Sequence, residues 1–217
     1  MCFSATASFA ASAFITTVGI LGYQKAEGNK VKSLAWIPIC FGIQQFSEGW
    51  VWLSLTNETL APYLSIFSYV FVFFAWIVWP LLIPFLLFRI ETNDTRKRYL
   101  KYFYWLGWVV SGTLLIVAVN NGVDGSIQDC AIQYDFIQHW KPWRWFGITY
   151  LITTVLSTFV SRIPRIGWFG GLNLLSYFIT QLYWHDQLIS VWCFLSAIAS
   201  IVIYWSILTV KSRDFKF

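Results

Sequence analysis

The sequence predicts an all-α, polytopic membrane protein with seven transmembrane helices, its N-terminus outside and its C-terminus cytoplasmic. Three observations carry this expectation: scarce charge, seven long apolar stretches, and an alternation of positive residues between the connections. Of 217 residues only 12% are charged, while 58% are apolar and 21% aromatic. A water-facing globule carries about 25% charged residues, so this chain has too few to coat such a surface. That excludes a soluble enzyme, a disordered protein and a disulfide-framework toxin.

The seven stretches lie at 4–23, 33–55, 61–90, 99–120, 143–160, 167–184 and 188–210. Each approaches the roughly 20 residues that cross a bilayer as helix. The first lacks a positive leading segment, unlike a cleavable signal peptide. Its Ser4, Ser8 and Ser12 recur every four residues among alanines, a small-residue face that lets another helix approach closely. The third is over-long, with Pro62 suited to a first helical turn and with Pro80 and Pro84 towards the far end. The stretch Lys141–Trp145 reads as an interfacial anchor of indoles and cations. No composition shift divides the chain, so residues 1–217 read as a single seven-helix domain.

Net charge is +5, which in a soluble protein would suggest nucleic acid. Here distribution matters more, and it argues for no nucleic-acid partner. Loops one, three and five and the tail carry thirteen Lys and Arg, against Lys141 and Arg144 on the other side. The positive-inside rule then gives the orientation above and anionic lipid headgroups as partners of the basic loops. The expected location is the bacterial inner (plasma) membrane.

A charge inside a bilayer is costly and needs a reason. Glu48 alone lies well inside a span, about 10 Å from its outer end at 1.5 Å per residue. Gln44, Glu48 and Trp52 share one helical face, with Gln45 and Gly49 on the adjoining one. Such a carboxylate is either protonated or paired with donors, a cation or a metal. Other reactive residues fall towards the same side: Cys2, Cys130, Cys193, His139 and the His185-Asp186 pair, with Cys40 alone towards the inner half. Thiolate and imidazole are ligands for copper or zinc, and Cys2, Cys193 and His185 form the candidate metal set, although the spacing matches no metal motif. An outer-face disulfide, for instance Cys2 to Cys130, and unpaired packing cysteines are the alternatives. The last span has no lysine for a retinal Schiff base, and no Gly-x-Ser-x-Gly element occurs.

Three pieces carry a resemblance: the start Met-Cys-Phe-Ser-Ala-Thr-Ala-Ser-Phe, the Gln-Gln-x-x-Glu-Gly-x-x-Trp at 44–52, and Ser-Val-Trp-Cys-Phe at 190–194. In order and spacing the chain resembles an uncharacterised group of small polytopic bacterial membrane proteins. After Cys193 it reads Phe194-Leu195-Ser196-Ala197, a mild departure from that group's Phe-Phe-Ala-Ala-like run. The resemblance implies a helical membrane protein and brings no substrate or cofactor. Its motif residues coincide with those above and point to a site shared by spans one, two and seven.

The leading expectation is a sensor or transporter that binds a small molecule or ion in an outward-facing site. Glu48 is its charge centre, with Gln44, Gln45, Ser4, Ser8 and Trp52 around it. The alternatives are a metal-dependent or Cys-based membrane enzyme acting on a lipid or lipophilic substrate, and a structural subunit whose polar residues lock helices together.

Overall fold

The computed structural model describes residues 3–136 and 144–210. Seven helical rods fill most of it: α1 (Ala5–Lys25), α2 (Trp36–Thr56), α3 (Ala61–Ile90), α4 (Asp94–Asn121), α5 (144–160), α6 (Ile166–Tyr183) and α7 (Leu188–Thr209). Four of them, α1, α3, α4 and α7, are long and apolar enough to cross a membrane. The polar content of α2 (Gln44, Gln45, Ser47, Glu48) and of α6 (Asn173, Ser176, Thr180, Gln181) dilutes their hydropathy, and the apolar part of α5, Gly147–Val160, is short.

The structure departs from a purely helical chain in its longest connection. There β1 (Val123–Gln128) and β2 (Ala131–Phe136) form an antiparallel hairpin, with Gln128 opposite Ala131 and Gly125 opposite Tyr134. Alternation explains it: Val123 and Gly125 on β1, and Ile132 and Tyr134 on β2, face inward, while Asp124, Ser126 and Asp135 face out. Asp129 opens the two-residue turn at φ 50°, a conformation that Asp tolerates better than most residues. The inner face packs on α2, α3 and α7.

Consecutive helices pack on one another, and α1 returns to α7, which also touches α2. The α1–α2 pair is the most intimate. Ser12 Oγ donates to the Gly42 carbonyl at 2.7 Å, and a side chain at Gly42 or Gly49 would collide with Thr16 or Phe9. The small-residue face read from the sequence is thus a packing face. Its register, Ser12 at Gly42 and Phe9 at Gly49, sets Ser8 level with Gln45 and Glu48.

Prolines shape α3 more than they bend it. Residues Phe73–Val78 form a π-helical stretch just before Pro80, whose ring cannot continue the ordinary ladder. Side chains from neighbouring helices cap the widened turn. Ser111 Oγ donates to the Ile77 carbonyl at 2.9 Å, and the Tyr150 hydroxyl donates to the Ala75 carbonyl. Tyr150 itself leads into a second π stretch, Ile152–Leu156. At Gly107 the absent side chain lets α4 lie against the Pro80 carbonyl.

Burial is inverted relative to a soluble bundle. Val119 is 68% exposed and Leu182 78%, whereas Ser8, Ser47, Ser111, Thr153 and Ser196 are buried. An apolar exterior around a partly polar interior suits a lipid solvent. Inside, two apolar clusters lie one above the other. One, with Phe41, Trp79, Leu87 and Ile203, occupies the end away from the hairpin; the other, with Val51, Phe71, Val110 and Ile132, lies beneath the hairpin. On α2 the segment between Phe41 and Val51 holds Gln44, Gln45 and Glu48.

The end opposite the hairpin is tied by a second buried carboxylate. Glu91, 3% exposed, follows α3 and accepts from the Thr92 and Asn93 amides at 3.1 Å each. It also accepts from the Arg162 amide at 2.8 Å and the Ser161 hydroxyl at 3.2 Å, beyond α5. Arg96 Nη1 adds a bond to the Val160 carbonyl at 2.7 Å. The basic tail, Lys211 to Lys216, lies outside the described residues, as does part of the Lys141–Trp145 anchor.

Candidate functional site

Glu48 is 2% exposed, turned into the bundle between α2 and α7. Ser190 Oγ donates to its Oε1 at 2.5 Å. Gln45 faces the same carboxylate, and the Cys193 thiol lies beside both Glu48 and Gln44. Ser190 and Cys193 are three residues apart on α7, which brings both to one face. Gln44 Oε1 accepts from Trp79 Nε1 at 2.8 Å, and that indole stacks on Phe41 with centroids 3.8 Å apart. The amide of Gln44 is thereby held with its nitrogen away from Trp79.

Buried polar side chains almost always find partners, so the exceptions here are informative. Trp52 Nε1 and the Tyr134 hydroxyl are buried without a protein partner, as are Ser54 Oγ on α2 and Ser68 Oγ on α3, whereas the Gln45 and Gln44 amides lie against Glu48 and Cys193. Trp52 and Tyr134 are on, or next to, the Glu48 face of α2. Tyr134 reaches it from the hairpin, stacked on Phe71 with centroids 4.5 Å apart. Burial above all, and then the nearby Glu48 and Cys193, push the Tyr134 phenol well above its ordinary value. It therefore remains a neutral donor at physiological pH.

On the hairpin side of this polar layer lies a cavity of about 370 Å³. Tyr134 and Cys193 line it, so the same two side chains border both the cavity and the Glu48 cluster. Trp76, Tyr150, Tyr177 and Trp192 form its walls, and Gln133, Asp135, His185 and Asp186 its polar rim. Trp192 is fixed by its indole bond to the Asn173 carbonyl at 3.0 Å and by edge contacts with Tyr150 and Tyr177. The cavity's place agrees with general expectation, since pockets of this size with mostly apolar walls and a few polar groups are where small molecules bind.

The structure brings some expected residues together and separates others. Gln44, Gln45, Glu48 and Cys193 share one cluster, with Trp52 one turn along α2. Ser8 is buried on α1 at their level, while Ser4 caps the start of α1, accepting from the Ala7 amide at 3.2 Å. His185, 71% exposed at the cavity rim, pairs with Asp186 at 3.2 Å. Cys2 and His139 lie outside the described residues. Among the described residues no three His, Cys, Asp or Glu side chains converge as metal ligands. Cys130 is disulfide-bonded, and Cys40 and Cys193 are free. Phe3 N donates to the Cys130 carbonyl at 3.0 Å, so the start of the chain meets the hairpin turn.

Sequence reasoning passed over Ser190, Tyr134, Tyr150 and Glu91. For Tyr134 a signal existed, the alternating pattern Ile132-Gln133-Tyr134-Asp135. Tyr150 owes its place to a π stretch and Glu91 to two loops meeting, and neither has a signature in the chain.

Residues 1–215 match a family of unknown function (DUF6629), and the chain belongs to that family. No curated protein and no solved structure matches it.

Proposed function

We propose that the chain is an integral membrane protein that binds a small molecule or ion from the outer side, as a sensor or transporter. The ligand enters the cavity beneath the hairpin, and Glu48, Gln44 and Gln45 lie behind its floor as the polar centre. One observation carries this reading: Cys193 and Tyr134 border both the cavity and a buried carboxylate, beside which the Trp52 indole and the Tyr134 hydroxyl lack partners. Helix packing alone gives no reason to leave those donors unpaired, since each costs about 1–3 kcal/mol when buried without a bond.

In the same reading all seven helices span a bacterial inner membrane, with the hairpin outside and the basic connections facing anionic headgroups. Two independent features support that orientation. Positive residues concentrate in the connections away from the hairpin. Cys130, at the hairpin turn, is disulfide-bonded, which suits an oxidising compartment.

The test uses Cys193 as its own reporter. The full chain carrying Cys40→Ala, in right-side-out vesicles, is exposed to membrane-impermeant methanethiosulfonates, and modified peptides are located by mass spectrometry. Modification of Cys193 from outside is expected. Modification from the cytoplasmic side alone, or only after denaturation, would overturn the outward-facing cavity.

A further inference from the structure

We infer that the ligand of this cavity is a small organic cation, an amine or quaternary ammonium. The inference rests on the proposed function and names the ligand class of that site.

The walls are the first reason. Trp76, Tyr134, Tyr150, Tyr177 and Trp192 all line one space. Tyr134 is backed by Phe71, on which it stacks, and Tyr150 and Tyr177 meet Trp192 edge-on at interplanar angles of 64° and 72°, with centroids 5.7 and 5.3 Å away, so the ring planes differ around the cavity wall. Ring faces carry the negative part of the aromatic quadrupole, and several around one volume form a cage for a soft cation.

The rim is the second reason. Its charged groups are Asp135 and Asp186, and no Lys or Arg lines the cavity among the described residues. Gln133 Nε2 donates to Asp135 at 2.5 Å, holding that carboxylate in place. His185 pairs with Asp186 at 3.2 Å and balances one of the two acids when protonated. Among the described residues an anion would meet two carboxylates and no Lys or Arg. A bare metal ion would meet rings where it needs several oxygen, nitrogen or sulfur ligands. A fully apolar molecule would leave the acidic rim unused. An organic cation uses both walls and rim, and a volume of about 370 Å³ admits a small one.

Cys193 supplies the experiment. In the Cys40→Ala chain, rates at Cys193 are compared for a trimethylammonium-ethyl, an uncharged methyl and a sulfonatoethyl methanethiosulfonate, each divided by its rate with free 2-mercaptoethanol. The expected order is cationic, then neutral, then anionic, with about tenfold between the extremes, the effect of one well-placed cation–π or carboxylate contact. Tetramethylammonium should slow the neutral reagent by occupying the cage. The exposed double substitution Asp135→Asn with Asp186→Asn should reduce the ratio of cationic to neutral rate several-fold. Equal normalised rates, a faster anionic reagent, or no protection by tetramethylammonium would overturn the cation assignment and leave the outward cavity standing. If no reagent reaches Cys193 in the folded protein, the cavity reading itself fails.

Discussion

Two buried glutamates sit at different levels of the same bundle, Glu48 between its two apolar clusters and Glu91 at the end away from the hairpin, and their surroundings differ. Glu91 is enclosed by two backbone amides of its own loop, one amide and one hydroxyl from beyond α5, all at 2.8–3.2 Å. Glu48 has the Ser190 hydroxyl at 2.5 Å and the Gln45 amide facing it, while the Trp52 indole and the Tyr134 hydroxyl nearby lack partners. A carboxylate that exists to fasten loops is saturated with donors, because each unmet lone pair lowers stability. A carboxylate beside unpaired donors, one side chain from a cavity, is arranged for something that comes and goes. Both are equally buried, so burial does not distinguish them. The completeness of their hydrogen bonding does.

The largest effect expected from this contrast is at Glu91. Removing its carboxylate takes the shared acceptor from three amides and a hydroxyl at a half-buried junction of two loops. Glu91→Ala should cost about 4 kcal/mol, from the loss of several bonds to a charged acceptor. Thermal unfolding in mild detergent measures it, beside Arg96→Ala, which removes the adjoining bond to Val160 and should cost much less. A loss below about 1 kcal/mol at Glu91 would mean that the loops hold without it.

Ser190→Ala comes next, at about 1.5 kcal/mol, because it strips Glu48 of its hydroxyl donor. The sharper result is its coupling to Glu48. In a double-mutant cycle, Ser190→Ala in a Glu48→Leu background should cost almost nothing, since an apolar residue asks for no donor. Equal costs in both backgrounds would detach Ser190 from Glu48 and weaken the contrast with Glu91.

Tyr150→Phe is smaller, about 1 kcal/mol. It removes the hydroxyl that caps the Ala75 carbonyl in the π stretch of α3, while keeping the ring against Trp192. The same variant should leave reagent access to Cys193 unchanged, because the cavity wall is the ring and not its oxygen. Faster labelling would show instead that the bond between the two π stretches holds the cavity shut.

The residues that were legible in the chain are those whose role is written in local spacing. Helix positions followed from apolar runs, and α3 occupies the 61–90 expected for it. Gln44, Glu48 and Trp52 announce a shared face by their four-residue period, and a charge in an apolar run marks itself. Length was less secure: α4 begins at Asp94, five residues ahead of the apolar stretch, because Asn93 caps it and its first turns are polar. What stayed hidden depends on tertiary meeting. Glu91 looks like an ordinary loop acid until 161–162 arrives from the far side of α5. The hairpin was read as a loop because its strands are short and carry charge on their outer faces. Ser190 and Cys193 carried a motif, and the resemblance pointed to a site shared by spans one, two and seven, but no spacing in the chain itself set Ser190 against Glu48.

The smallest stability change, and the one that decides most, is expected at Glu48 itself. Glu48→Gln keeps an oxygen that can accept from Ser190 and keeps the volume, so the fold should lose less than about 1 kcal/mol. Ligand-side behaviour should change more than stability does. With the carboxyl behind the floor replaced by an amide, which cannot ionise, the ratio of cationic to neutral rate at Cys193 should fall several-fold. That divergence is what separates Glu48 from Glu91, where substitution acts on stability alone. If Glu48→Gln instead destabilises as strongly as Glu91→Ala and leaves the charge preference intact, then Glu48 is a fastening of α2 to α7. The unpaired Trp52 indole and Tyr134 hydroxyl near it would then belong to ordered water, and the acidic rim alone would set the preference of the cavity.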